Sequence, residues 1–580
     1  MAAMLALLIV ETVFRPWLGF AVPGSSQLVR HLTLWVALLG GALSARDDRL
    51  LAFAAATFLP DGWARRSATI AAAAVAAAVV AILFYGSVTL VRGELQFTTA
   101  GPGVPVWLSQ SVLPIGFLLI GIRLVLHVRT RPGRYLATAG AALGLVLSAW
   151  PQALTGQPAW PLVLLLVGAG CLGTPLFAVL GGLAAVLFMS AGTPAVAVLS
   201  AAYELATHPT LPAIPMFTLA GFLLAEGDTA ARLLRLFRAV FGRVPGGTAV
   251  VCALVCAFFT VFTGGSGVTI LAIGGLLHPA LVRDGYDDRF SIGLLTGSSS
   301  LGLLLPPAVP LILYAIVAEL PMTDLFVGGL LPGVLMIGVV VAYAMCAATR
   351  RRIPRVSFDR REALGALWHG KWELLLPLAV LAAFFGGYAT ILETSALTAL
   401  YAFVVQVLIH RNIRLGQPLR LVFAEAVTTI GGVLIILVVA YGFTASLLDA
   451  DIPDRLVTWT RQHIDSPLMF LLALNVFLLA VGCVMDIFSA ILVVAPIVLP
   501  LGAEFGVHPV HLGIIFIANL ELGYITPPVG LNLFLASYRF NRPLLEVSRA
   551  ALPVLALLLL AVILITYIPW LTMALLPAVQ

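Results

Sequence analysis

Long apolar runs separated by short polar intervals dominate the chain. A membrane-spanning helix needs about 20 mostly apolar residues. The pattern predicts four such helices in the first 130 residues, at about 2–20, 31–59 with a break near Arg46–Arg49, 68–91 and 104–127. A fifth stretch, 135–150, follows the basic loop His127–Arg134. From Pro161 onward the apolar segments come denser and carry far more internal Gly and Pro, which marks a boundary. The chain thus divides into 1–130, a connector at 131–160, and 161–580. Met1–Val10 lacks a basic start and a small-residue cleavage site, so the first run is expected to be a retained helix.

Composition fixes the class. Of 580 residues 61% are hydrophobic and 10% charged, and mean hydropathy is +1.08. Soluble domains hold about 25% charged residues, and a water-soluble globule of this composition would expose far more apolar surface than monomers tolerate. The expected fold is an all-α polytopic membrane protein.

The net charge of +6 sits in short loops, where it sets topology. Arg46, Arg49, Arg65 and Arg66, then Arg129, Arg131 and Arg134, then Arg350, Arg351, Arg352, Arg355, Arg360 and Arg361 are expected inside. The acidic loop bearing Asp449, Asp451, Asp454 and Asp465 and the uncharged loop Thr98–Val106 fall on the opposite face. Trp63, Trp107, Trp150, Trp160, Trp368 and Trp459 lie at these boundaries, as interfacial anchors should.

Several classes drop out. No basic stripe with interleaved aromatics suggests nucleic acid. The five cysteines lie mostly in apolar runs without CxxC pairs. Gly365-Ala-Leu-Trp-His-Gly370-Lys371-Trp372 has P-loop spacing but lacks the Ser/Thr that holds Mg²⁺ and follows no strand, so ATP is not the expected power source.

The most informative feature is an internal repeat. Residues 298–315, SSSLGLLLPPAVPLILYA, align with 519–536, NLELGYITPPVGLNLFLA, at an offset of 221 that carries Pro306-Pro307 onto Pro527-Pro528. The same offset carries Pro279 to Pro500 and Gly285 to Gly506. Apolar similarity by chance would not keep Gly and Pro in step. The repeats run over about 211–348 and 421–575.

Ahead of the first repeat's core lies Ala231–Arg243, patterned as a basic amphipathic helix in the interface; its counterpart at 449–465 carries four Asp and two Arg. Equivalent loops of opposite sign predict opposite sides of the membrane, hence inverted repeats. Such transporters hold substrate and ions near the midplane on discontinuous helices.

Thr263-Gly-Gly-Ser-Gly267, Thr296-Gly-Ser-Ser-Ser300 and both Pro-Pro pairs interrupt helix within apolar runs. Unwound backbone at membrane depth is tolerated where protein or a water-filled cavity satisfies it. Its carbonyls and hydroxyls suit Na⁺, and free helix N-termini suit a carboxylate.

Asp486, ionisable within an apolar run, is a site candidate, or else a structural acceptor for a broken helix. Ser298, Ser299 and Ser300 either ligate an ion or bond back to their own helix. Thr526 is a candidate ion ligand, and Asn532 faces a cavity or a neighbouring helix. Glu521 is weaker because its segment is expected to end at the interface. Glu393 is expected to bond between helices, and the histidines to lie mostly in loops.

At the Pro-Pro segments the sequence resembles the membrane part of tripartite ATP-independent periplasmic (TRAP) transporters. IPMFTLAGFLL (214–224), GGSGVT (264–269), HPALVRDGYD (278–287), GSSSLGLLLPPAVPLILYA (297–315), LFVGGLLPGVL (325–335), Glu393 in its setting, GCVMD (482–486) and NLELGYITPPVGLNLF (519–534) carry the large-subunit likeness. GSSQLVRHLTLWVALLGGALSARDDR (24–49) is similar to the four-helix small subunit.

The resemblance implies a carrier in the bacterial inner membrane that uses a Na⁺ gradient and moves a transport domain like an elevator. It implies an organic acid received from a periplasmic substrate-binding protein, contact with membrane lipid, and neither nucleic acid nor an ATPase subunit as partner. By the same resemblance, Na⁺ is held around Gly265, Ser266, Ser298, Pro307, Gly523, Thr526 and Pro528, and substrate by Asp486, Ser266, Ser299, Ser300 and Asn532. Ala308 stands where the family commonly has Ser. The alternative is an inverted-repeat carboxylate transporter that works without a binding protein.

Overall fold

The computed structural model describes residues 1–14, 24–52, 62–95, 105–128, 130–353, 359–527 and 529–576. Most of the expected outer loop at 98–106, together with Arg129, Arg355 and Pro528, lies outside them. The described residues are helical throughout, with one isolated antiparallel bridge between Ala52 and Pro175. Among them, ten helices are long and apolar enough to cross a membrane.

In the first region the helices run Ala2–Ile9, Ser25–Arg46, Trp63–Glu94, Val112–His127 and Arg131–Ala149. The second begins six residues before the expected start at 31. Arg30 and His31 suggest a boundary, but the arginine donates to the Ser26 and Thr207 carbonyls while Val29, Thr33 and Leu34 are buried, so the helix passes through them.

The helices group into two compact units. One comprises Met1–Pro215, Phe423–Thr458 and Leu492–Ile497; the other comprises Met216–Val422, Trp459–Ile491 and Val498–Gln580. In the first unit, Ser25–Arg46 crosses helix Gln417–Asp449 backbone to backbone: a Cβ on Gly40 would stand 2.5 Å from the Val427 carbonyl oxygen, and one on Gly431 2.3 Å from the Gly40 Cα. Ser44 Oγ donates to the Thr428 carbonyl at 2.5 Å, and Arg49 pairs with Glu425. Small residues allow this approach, which in lipid replaces the hydrophobic drive with close packing.

The second unit carries most of the repeat. Helix Ser266–Arg283 has its counterpart in Ile487–Glu504, shifted by the sequence offset at both ends. Helix Met322–Arg350 corresponds to Leu544–Tyr567, and internal prolines Pro332 and Pro553 fall in register, a match the alignment of apolar segments had not reached. Asp288–Ser298 packs on Leu544–Tyr567, while its repeat mate Pro509–Gly523 packs on Met322–Arg350. Each repeat thus lays a helix on the other's partner, the exchange that a two-fold relation produces.

Thr229–Phe241 is the expected amphipathic helix, yet its arginines are engaged by protein. Arg232 donates to buried Glu373 at 2.6 Å, Arg235 to Glu362 at 2.7 Å, and Arg238 to both oxygens of Asp284 at 2.7 Å. The Arg235 hydrogen bond holds the Glu362 carboxyl below the usual carboxylate range. The helix is tied down by ion pairs, a role that its sequence pattern alone does not distinguish from lipid contact.

Candidate functional site

Two chain breaks organise the site. Helix Gly247–Thr263 ends at Gly264, whose φ of +67° is left-handed, and the chain re-enters helix at Ser266 with extended Gly265 as N-cap. Pro467–Val484 ends instead at Met485, which is extended, and the next helix starts at Ile487 with Asp486 as N-cap. Gly265 and Asp486 are repeat mates.

The two caps differ chemically. Asp486 Oδ2 accepts from the backbone N–H groups of Phe488 and Ser489 at 3.0 Å, and Oδ1 from Ser489 Oγ at 2.5 Å. Tyr524 OH accepts from Ile487 N–H at 2.6 Å. Both carboxylate oxygens are therefore occupied by their own helix, the structural-acceptor alternative of the sequence reading. Helix Ser266–Arg283 has no side-chain cap.

Beside that open N-terminus, the second repeat reaches into the first. Ser266 Oγ donates to Asn532 Oδ1 at 2.7 Å, and Asn532 Nδ2 donates to Ser299 Oγ at 3.1 Å. Thr260 Oγ1 donates to the Ser299 carbonyl at 2.5 Å and lies 2.8 Å from Thr269 Oγ1, with Thr263 Oγ1 3.3 Å from the same atom. Sequence reasoning took Thr263 only as part of the break and missed Thr260 and Thr269; the signal was the recurrence of threonine at 260, 263 and 269 around the Gly-Gly break. Ser266, Ser299 and Asn532 are buried.

The Pro-Pro turns close the second set. The chain leaves helix at Ser298, turns through a cis Pro306-Pro307 bond and re-enters at Val309. The matching turn runs from Gly523 to Leu531. Gly302 and Gly523, also repeat mates, are where backbones touch: a Cβ on Gly302 would lie 2.3 Å from the Ala257 carbonyl oxygen, and one on Gly523 2.5 Å from the Gly482 Cα.

The remaining candidates fall as follows. Ser298 is buried, and its hydroxyl has no hydrogen-bond partner among the described residues. Ser300 Oγ bonds back to the Gly297 carbonyl at 3.4 Å, and half-buried Thr526 to that of Leu522 at 2.8 Å. Pro307 is buried in the first turn and Gly265 is half-buried at its break. An orphaned buried hydroxyl at the end of a broken helix is a hard oxygen of the kind that suits a cation such as Na⁺. Pro528 lies outside the described residues.

Three readings of single residues are corrected. Glu521 does not end at an interface: it is fully buried, approached by its repeat mate Ser300, and neither carboxylate oxygen has a well-formed hydrogen bond among the described residues. Glu393 closes a capping box with Thr390 instead of bonding between helices. His511 is not a loop residue; it sits inside Pro509–Gly523, bonded to Thr572 Oγ1 at 3.1 Å and the Thr566 carbonyl at 3.3 Å.

Paired broken helices joined through buried amide and hydroxyl groups define a membrane transporter. Comparison with known proteins agrees. Residues 159–571 match the DctM component and residues 4–132 the DctQ component of the tripartite ATP-independent periplasmic transporters. The chain is similar to the C4-dicarboxylate TRAP transporter large permease protein DctM of Pseudomonas aeruginosa, 37% identical over 64% of this chain and 87% of that protein. It is also similar to the isethionate TRAP transporter permease protein DctMQ of Oleidesulfovibrio alaskensis, 31% identical over 85% of this chain and 79% of that one. The ectoine permease TeaC of Halomonas elongata is 29% identical over 62% and 84%. The chain belongs to the TRAP transporter family, with DctQ and DctM components fused, and is a multi-pass protein of the bacterial inner membrane.

Proposed function

We propose that this permease is a Na⁺-coupled symporter importing an organic acid delivered by a periplasmic substrate-binding protein, through an elevator-like movement. The observation that carries the reading is the uncapped N-terminus of Ser266–Arg283 beside Ser266, Ser299 and Asn532. A helix N-terminus and converging hydrogen-bond donors suit an anionic carboxylate or sulfonate. C4-dicarboxylate and isethionate, named for two relatives, are such anions.

In this reading Asp486 holds the second helix and stands outside the anion set, with Ser300 at its edge. The oxygens that would hold Na⁺ are the Ser298 and Thr526 hydroxyls with break carbonyls around Gly265, Ser266, Pro307 and Gly523. Na⁺ there supplies positive charge that favours the anion's entry. Residues 1–130 and 161–580 act as small- and large-subunit equivalents joined by 131–160.

The test is uptake of labelled C4-dicarboxylate and isethionate into proteoliposomes. Purified candidate binding protein is added or left out, with an inward Na⁺ or K⁺ gradient. Uptake that needs both Na⁺ and the binding protein supports the proposal. Equal uptake in K⁺ removes Na⁺ coupling, and full uptake without any soluble partner favours the binding-protein-independent alternative.

A further inference from the structure

At one end of the second unit, acidic residues hold several of the nearby arginines. Arg238 is held by Asp284, Arg351 by Asp287, and Arg542 by Asp288 at 2.8 Å, with Glu546 3.9 Å from Arg542. His278 also bonds Asp288, at 2.8 Å. Among the exposed arginines outside these pairs, Arg289, at the start of helix Asp288–Ser298, and Arg549, in the second turn of Leu544–Tyr567, lie together. Among the described residues neither has a carboxylate within ion-pair distance.

They share a surface notch of about 350 Å³ lined by Arg289, Pro543, Leu545, Glu546 and Arg549. Arg289 Nη2 donates to the Arg549 carbonyl at 3.3 Å, which brings the two arginines to one spot. Glu546 also lines the notch, with its carboxylate 3.9 Å from Arg542.

The surface below the notch is apolar. Leu545, Leu552 and Leu559 recur at seven-residue spacing and are 63%, 47% and 39% exposed along a helix that meets the criteria for a membrane span. Arg549 lies four residues after Leu545 and three before Leu552, so it shares that face. Side chains on a helix lean toward its N-terminus, which carries the Arg549 guanidinium back toward the membrane boundary. Uncompensated cations above an apolar stripe match an anionic headgroup with acyl chains beneath it, and basic pockets between spans bind such headgroups.

We infer that the Arg289–Arg549 notch binds a phosphate-bearing anion, through the phosphate of an anionic phospholipid or as free phosphate. The full chain is reconstituted with a photoactivatable phosphatidylglycerol, cross-linked and mapped by peptide mass spectrometry. Labelling is expected on the peptides around Arg289 and 543–552, and to weaken by roughly tenfold in Arg289→Gln/Arg549→Gln, since each basic side chain contributes several-fold to headgroup affinity. Arg289→Lys/Arg549→Lys, which keeps the charge, should retain most of it and guards against misfolding of the Gln variant.

Millimolar inorganic phosphate separates the sources: competition marks a site open to free phosphate, and undiminished Arg-dependent labelling marks the lipid headgroup. Labelling of these peptides that is equal in the wild type and the Gln variant, or equal with a zwitterionic phosphatidylcholine probe, overturns the inference.

Discussion

Gly265 and Asp486 occupy the same position in the two repeats, each at the N-cap of the helix that resumes after a break. One has no side chain and leaves its helix uncapped; the other folds a carboxylate back onto the Phe488 and Ser489 N–H groups and the Ser489 hydroxyl. The backbone is duplicated and the electrostatics are not. A helix N-terminus carries roughly half a positive charge, and Asp486 neutralises it internally while Gly265 leaves it without a side-chain partner. The pair shows how a repeated scaffold yields one open end and one self-neutralised end.

The turns that hold both breaks give the largest expected effect. Gly302→Val and Gly523→Val each drive a side chain into backbone at 2.3 and 2.5 Å, and should destabilise by about 3 kcal/mol or more. Thermal unfolding and detergent gel filtration read this out, and tolerance of one change but not the other would show that the two turns are not equivalent.

The sharpest test copies one cap onto the other. Gly265 has β-region backbone, and the nearest atom to an added Cβ is Val268 Cγ2 at 3.7 Å, so a Cβ is accommodated there. Gly265→Asp should reduce uptake by about tenfold or more as a fixed negative charge displaces the anion, while stability holds or rises by about 1 kcal/mol. Near-normal uptake would mean that the open cap does not serve the substrate.

In the opposite direction, Asp486→Ala should lower stability by about 1 kcal/mol or somewhat more through loss of the cap, whereas Asp486→Asn, also a good N-cap, should keep both fold and uptake. Loss of uptake in a stable Asp486→Asn protein would return the carboxylate to the substrate site. The smallest effect is expected at Thr390, an exposed capping box far along the chain from either break: Thr390→Ala should cost about 0.5–1 kcal/mol in unfolding and leave uptake unchanged.

The repeat was legible in the sequence because Gly and Pro act through local backbone geometry and keep their spacing, so Pro306-Pro307 and Pro527-Pro528 announce themselves. Asp486 was legible as unusual, with a structural acceptor for a broken helix as one of its two readings, but the choice between them was not, since capping depends on which residue starts the helix, and Met485 and Asp486 stand in an apolar run. Asn532 could be read only as a polar residue at depth. Its bridging of Ser266 and Ser299 joins positions more than 230 residues apart, and no local pattern encodes that. Glu521 was misplaced because hydropathy locates a span's middle better than its end.

The glycine crossing between Ser25–Arg46 and Gln417–Asp449 bears on how such a chain can be assembled. Gly40 and Gly431 bring a DctQ-like helix and a DctM-like helix into backbone contact, with Ser44 bonding the Thr428 carbonyl and Arg49 pairing Glu425. This adhesion does not run through the peptide that links the two regions, so a protein nicked within 131–160 should stay together on purification. Covalent fusion then contributes bookkeeping of copy number: it fixes the ratio of the two parts at one to one and makes their encounter independent of how much of each the membrane holds.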